Sequence, residues 1–161
     1  MRLENKVALI TGGSRGRGAT EARLFAQEGA AVVIADILED QGKQVEAEIN
    51  ESGGRALFTR LNVTSEEDWQ RAIQETVDAF GRINVLINNA GFNPRKAPLV
   101  EVATEEFDSI LAVNLRAPFL LMRECARDMK EKGGGHVINI LSTVCHSDME
   151  TMGAYTAAKE G

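Results

Sequence analysis

Residues 6–18 read Lys-Val-Ala-Leu-Ile-Thr-Gly-Gly-Ser-Arg-Gly-Arg-Gly (KVALITGGSRGRG), and this stretch decides the fold. Lys6 to Thr11 is a short, nearly continuous apolar run, as expected of a strand buried on both faces. Gly12, Gly13, Gly16 and Gly18 follow, and beyond them a helical pattern carries Ala22, Leu24, Phe25 and Ala26. The reading is strand, tight turn, helix.

The same rhythm repeats outward. Gly29 closes the helix, Ala31 to Ala35 (AVVIA) is a second buried strand, and Asp36 ends it. Leu38, Val45 and Ile49 share a helical face up to Ser52, Gly53-Gly54 stops that helix, and a third strand spans Ala56 to Leu61. Thr64 and Glu67 have capping-box spacing, after which Trp69, Ile73, Val77 and Phe80 recur at helical intervals, so the lone Trp reads as core. Gly81 ends that helix and Asn84 to Asn88 (NVLIN) is a fourth buried strand. Past Pro94 and Pro98, Thr104 is placed to cap a helix with Phe107, Ile110 and Leu111 inward. A separate helix is predicted from about Pro118, tolerable in a first turn, to Lys130. His136 to Leu141 (HVINIL) is the fifth strand, and Ala154 to Gly161 opens another helix. Strands alternating with helices imply a parallel, right-handed α/β sheet rather than a sandwich or bundle. The edge made by the fifth strand is expected to be poorly shielded.

The 161 residues are 43% hydrophobic and 26% charged, which suits one domain spanning 1–161. With 18 Lys and Arg against 24 Asp and Glu, the formal net charge of −6 argues against a general affinity for nucleic acid or anionic membrane. Cys125 and Cys145 lack metal-ligand spacing, so neither a disulfide scaffold, a zinc site nor any other metal site is suggested, and a cytoplasmic location is expected. No export signal or membrane-spanning run is visible.

Two constellations carry chemistry. Glycines at 12, 16 and 18 permit a tight turn and close backbone approach to a pyrophosphate, while the following helix offers unpaired amides and a partial positive charge. Asp36, at the end of the second strand, can accept hydrogen bonds from the ribose hydroxyls of NAD, and its charge disfavours the 2′-phosphate of NADP. Arg15 argues the other way: its guanidinium can reach a 2′-phosphate, lie over the adenine or face solvent. The balance favours NAD as cofactor. The second constellation is Ser142, Tyr155 and Lys159. Tyr155 and Lys159 are four residues apart on the predicted helix and share a face, and Ser142 follows the fifth strand near its C-terminal mouth, where open α/β sheets bind ligands. A tyrosine hydroxyl is a poor base at neutrality, and a neighbouring ammonium favours its ionised form. An ordinary helix-surface pair is the alternative reading of these two residues. His136 reads as a sheet-end residue. Cys145 and His146 lack the partners for thiol or triad chemistry, and the stretch from Val144 to Gly153 is expected to border a substrate.

With Thr11-Gly12-Gly13-Ser14-Arg15-Gly16-Arg17-Gly18, Asp36, Asn62-Val63, Asn88-Asn89-Ala90-Gly91, Asn114, Ser142 and Tyr155-Thr156-Ala157-Ala158-Lys159 in this order, the sequence resembles the classical short-chain dehydrogenase/reductase family. The resemblance implies a three-layer Rossmann-like α/β fold with a mostly parallel sheet, about five strands of it present and the C-terminal strands missing. It implies a cofactor site formed by Gly12, Ser14, Arg15, Gly16, Gly18, Asp36, Asn62, Val63, Asn89, Ala90 and Gly91, together with Tyr155 and Lys159. Asn62-Val63 would lie beside the adenine and Asn89-Ala90-Gly91 would line the cleft. Asn114, Ser142, Tyr155 and Lys159 would be catalytic: Tyr155 exchanges the proton of a secondary alcohol or ketone, Ser142 bonds the same oxygen, and Lys159 holds the nicotinamide ribose and keeps Tyr155 ionised. Asn114 and a water would complete the proton relay. Arg17 departs from the family, in which this position is usually apolar. A homo-oligomer is implied by the resemblance alone. The expected function is NAD-dependent hydride transfer on a small-molecule alcohol or carbonyl. The alternatives are a nucleotide-binding fragment without turnover, an NADP-linked ketoreductase and a purely structural interaction module.

Overall fold

A computed structural model describes residues 1–146 and 149–161. Five strands, β1 (Val7–Thr11), β2 (Ala31–Asp36), β3 (Arg55–Arg60), β4 (Val85–Asn88) and β5 (His136–Asn139), form one sheet in the order β3-β2-β1-β4-β5. Every pairing is parallel, with Leu9 level with Val33 and Leu86, and Ile87 level with Ile138. Helices cover both faces, making a three-layer Rossmann-like α/β fold. Alternate side chains of each strand point to opposite faces. On one face Ala8, Ile10, Val32, Ile34 and Ile87 pack under α1 (Gly16–Gln27) and α2 (Glu39–Glu51), which contribute Ala19, Ala22, Val45 and Ile49. On the other, Leu9, Val33 and Leu86 meet α3 (Glu66–Phe80) and α5 (Ala117–Glu131), through Trp69, Leu121, Cys125 and Met129. Trp69 is 1% exposed, a core residue as its spacing predicts.

The structure corrects several local expectations. Ser65, not Thr64, caps α3: its Oγ accepts from the Asp68 amide at 3.2 Å. Leu38 lies just before α2 and not on its buried face, which Val45 and Ile49 form. Ala103 precedes α4 (Thr104–Leu111) and no side chain caps it, so Thr104 is simply its first residue, and Phe107 is exposed rather than inward. The two helices expected on either side of Pro118 are one continuous helix, in which α4 passes into α5 through a π-helical turn, Ala112–Arg116. Pro118 has no N–H to offer the carbonyl four residues back, and its ring crowds that carbonyl; a widened turn there accommodates both. The carbonyl is that of Asn114. A final helix, α6 (Gly153–Glu160), packs Ala154, Ala158 and Tyr155 against Ile110, Leu111 and Leu115 of this long helix.

β5 stops at Asn139, short of the expected Leu141, and all four of its residues are exposed. It is the sheet's last strand, and its outer edge is uncovered among the described residues, as the sequence leads one to expect. Among those residues no helix is long and apolar enough to cross a membrane, and no three His, Cys, Asp or Glu side chains gather as a metal site. Both cysteines are free.

Candidate active site

The strand order reverses between β1 and β4, whose neighbours run off in opposite directions, so the loops leaving their C-terminal ends diverge and open a crevice. The loop after β1 enters it with Gly12 at φ +66°, a left-handed conformation suited to glycine, and turns into α1. Gly18 is where the turn closes on itself: a Cβ there would lie 2.2 Å from the Gly12 carbonyl oxygen. The loop after β4 is tied to the same turn. The Thr11 hydroxyl accepts from the amides of Asn89 and Ala90 at 3.1 and 3.0 Å, and Asn89 Nδ2 donates to the carbonyls of Thr11 and Gly12 at 2.9 and 3.0 Å.

Between these loops lies a cavity of about 480 Å³, lined by Gly12, Gly16, Gly18, Asp36, Asn62, Val63 and the Asn89-Ala90-Gly91 run, with Arg15 and Arg17 at its edge. Asp36 is 8% exposed. Its Oδ2 accepts from the Ser14 amide at 3.0 Å and its Oδ1 from the Leu38 amide at 3.1 Å, which aims the carboxylate and leaves each oxygen further lone pairs. Ser14 reaches the cleft only through this backbone bond. Its side chain is buried toward α2, with Oγ 2.7 Å from where a Cβ on Gly42 would sit. On the far wall, the Asp68 carboxylate accepts the Asn62 amide at 2.9 Å and pairs with Arg71 at 3.0 Å, holding Asn62 and Val63 in place. That amide, aided by Arg71 and Arg60 and opposed by burial, holds the Asp68 carboxyl below the usual aspartate range.

Ser142, Tyr155 and Lys159 do not line this cavity. Lys159 and Asn114 line a smaller one of about 190 Å³ behind it, with Asn88 and Asn139. Gly91 is the wall between the two: a Cβ on it would lie 2.8 Å from Asn114 Oδ1 and 3.5 Å from Lys159 Nζ. Asn114 sits in the π turn and donates from Nδ2 to the carbonyls of Phe92 and Ile110 at 3.2 and 3.1 Å. Its Oδ1 is buried and meets no hydrogen-bond partner among the described residues. Lys159 Nζ donates to the Ile140 carbonyl at 3.0 Å and stands 5.9 Å from the centre of the Tyr155 ring. Burial, with the nearby charge of Arg17, pulls the Lys159 ammonium below the ordinary lysine range. Ser142, half-buried after β5, accepts the Val144 amide at 3.4 Å, and no hydrogen bond joins it to Tyr155 among the described residues. Within the expected substrate-bordering stretch 144–153, Ser147 and Asp148 lie outside the described residues. His136 and His146 are both exposed.

Sequence reasoning passed over Thr11 as a site residue, although it stands inside the glycine motif, and over Asp68, which only the folded α3 brings beneath Asn62. It also passed over Ile37, Leu38, Phe92 and Val113, which supply apolar lining to the cavity. Position alone hints at the first two of these, since they follow Asp36.

Comparison with known proteins bears on the whole chain. It is 42% identical over 158 residues to a 2,5-dichloro-2,5-cyclohexadiene-1,4-diol dehydrogenase of Sphingobium indicum, an alignment covering 98% of this chain and 63% of the relative. To a 3-alpha-(or 20-beta)-hydroxysteroid dehydrogenase of Mycobacterium tuberculosis it is 41% identical over 158 residues, covering 98% and 59%. To an uncharacterized oxidoreductase of Thermotoga maritima it is 38% identical over 159 residues, covering 99% and 62%. The chain thus spans about 60% of the length of these curated relatives. The family profile described as short chain dehydrogenase matches residues 6–161, and with the glycine turn, the crevice at the strand reversal and the Tyr155/Lys159 helix all on that stretch, the chain belongs to the short-chain dehydrogenase/reductase family of oxidoreductases.

Proposed function

We propose that this chain binds NAD and transfers hydride between it and a secondary alcohol or ketone. Asp36 carries the reading. It is a carboxylate at the end of β2, held by two backbone amides, one of them from the glycine turn, in the lining of the cavity that this turn shares. A ribose diol suits such an acceptor pair, and a 2′-phosphate would bring like charge against it. The crowded Gly18, which leaves no room for a side chain, and the unpartnered Asn114 Oδ1 fit the dinucleotide and a relay water respectively. When bound, the nicotinamide ring supplies the hydride donor or acceptor.

The chain's own residues then handle the proton. Tyr155 takes it from the substrate hydroxyl in oxidation and returns it in reduction, while Ser142 donates a hydrogen bond to the same oxygen. Lys159 presents its charge to Tyr155 and binds the ribose, and Asn114 offers Oδ1 to the water that carries the proton onward. The substrate belongs to the class that the relatives' names suggest, an alicyclic secondary alcohol or its ketone. Two free cysteines accord with a cytoplasmic setting.

Calorimetric titration of the 161-residue chain with NADH and NADPH tests the reading. NADH should bind about tenfold more tightly or better, and Asp36→Ala should erase most of that difference. Equal affinities in the unmodified chain would sink the NAD assignment, and tighter NADPH binding would favour NADP, for which Arg15, on the same cavity, is the observation in favour. A second reading, dinucleotide binding without turnover, draws on the absence of Ser142 and Tyr155 from the cavity wall. Oxidation of a simple alicyclic secondary alcohol, followed as NADH absorbance, would exclude it.

A further inference from the structure

We propose that Arg17 makes the cleft discriminate between the two oxidation states of its dinucleotide, favouring the reduced, uncharged nicotinamide over the oxidised, cationic one. The inference rests on the dinucleotide reading above and goes beyond it. Arg17 lines the cavity from the first turn of α1, and its Nε donates to Asn89 Oδ1 at 3.2 Å. Asn89 follows β4, whereas Asp36 ends β2, and β1 lies between them. Two strand spacings, roughly 10 Å, therefore separate the two ends of the cleft. With the adenosine at Asp36, the nicotinamide lies toward Arg17, Gly91 and Lys159.

Arg17 is also held in place. Its anchor, Asn89, is itself locked by two hydrogen bonds to the glycine turn. The two terminal guanidinium nitrogens make no hydrogen bond among the described residues, so the charged fork remains available to the cavity. Asp36 is the one carboxylate among the described residues of the lining, and it stands at the opposite end. Glu21, 3.7 Å from Arg17 Nε, offsets part of the charge but does not line the cavity. Burial raises the Glu21 carboxyl above the usual glutamate range, with Arg17 working against that rise. The β4 end thus presents Arg17 to the cavity, with Lys159 behind the Gly91 wall. Their mutual repulsion contributes to holding the Lys159 ammonium below its ordinary range, so the field of Arg17 reaches the place where the second cation sits.

A fixed positive charge opposes the ring that carries +1 and is indifferent to the neutral dihydro ring. Attraction to the pyrophosphate is common to both oxidation states and cancels in their ratio. The test is the ratio of NAD to NADH dissociation constants, measured calorimetrically on the 161-residue chain and on Arg17→Met and Arg17→Lys. Arg17→Met should lower that ratio by about tenfold, the scale of one charge across a partly wet cleft, and Arg17→Lys should largely preserve it. Equal-factor changes in both affinities on Arg17→Met would overturn the proposal and make Arg17 a phosphate anchor; so would a ratio that falls equally in the Lys variant. Should the unmodified chain bind neither form, the dinucleotide reading itself falls. Equal unfolding midpoints of the three proteins verify that the half-exposed Arg17 has been changed without loss of the fold.

Discussion

Asp68 shows how one carboxylate can hold a wall of the cleft without touching a ligand. Its Oδ2 takes the Asn62 amide and its Oδ1 the Arg71 guanidinium, while the residue itself is 9% exposed. Because its folded pKa is lowered, the ionised form stabilises the fold above the ordinary aspartate range, and that stabilisation is lost as pH falls through the lowered folded value. Asp68→Asn should therefore cost about 1–2 kcal/mol in urea unfolding near neutrality, and the gap from the unmodified chain should close in strong acid. A gap independent of pH would show that shape rather than charge matters there. Asp36 was legible in the sequence as a strand-ending acid. The bonds that aim it were not, since Ser14 and Leu38 meet it only when the glycine turn folds back over β2.

At the level of elements, the turn between β1 and α1 is the tightest piece of the site. Adding a methyl group at Gly18 would drive it into the Gly12 carbonyl oxygen, itself held by Asn89. Gly18→Ala should cost about 1–3 kcal/mol of stability through this overpacking and abolish measurable NADH binding, with the helical circular dichroism retained. Retained affinity would mean that the turn has slack that its contacts do not show. This element was readable because glycine spacing and apolar runs are local signals. The junction of α4 and α5 was not. Pro118 in a helical pattern reads equally as a first turn or as an interruption, and only the folded structure shows the helix running on through the π turn, with Ile110 and Leu115 packed against α6. That turn places Asn114 opposite Gly91, a position no periodicity argument reaches.

Across the whole molecule the two hydrophobic layers differ in what they enclose. Cys125 lies wholly inside the layer under α3 and α5, and burial pushes its thiol up to about 12. Cys145 is half-buried, in a short 3-10 turn after β5. A thiol-disulfide exchange reagent at neutral pH should modify Cys145 within minutes, whereas Cys125 should react only at the rate of global opening, and both should react at once in denaturant. Fast reaction of both thiols in the native protein would contradict the packing around Leu121 and Met129. The amino-acid sequence by itself determined the alternation of strands and helices, the parallel sheet, the glycine turn and the acid at the end of β2, because each follows from short-range period and from residues with special backbone demands. Tertiary structure alone decided that Arg17 rests on Asn89, that Asp68 holds Asn62, and that Lys159 reaches the Ile140 carbonyl behind Gly91. Most of those meetings join segments far apart in the chain, and they depend on the β3-β2-β1-β4-β5 order and the packing of α6, neither of which any local pattern encodes.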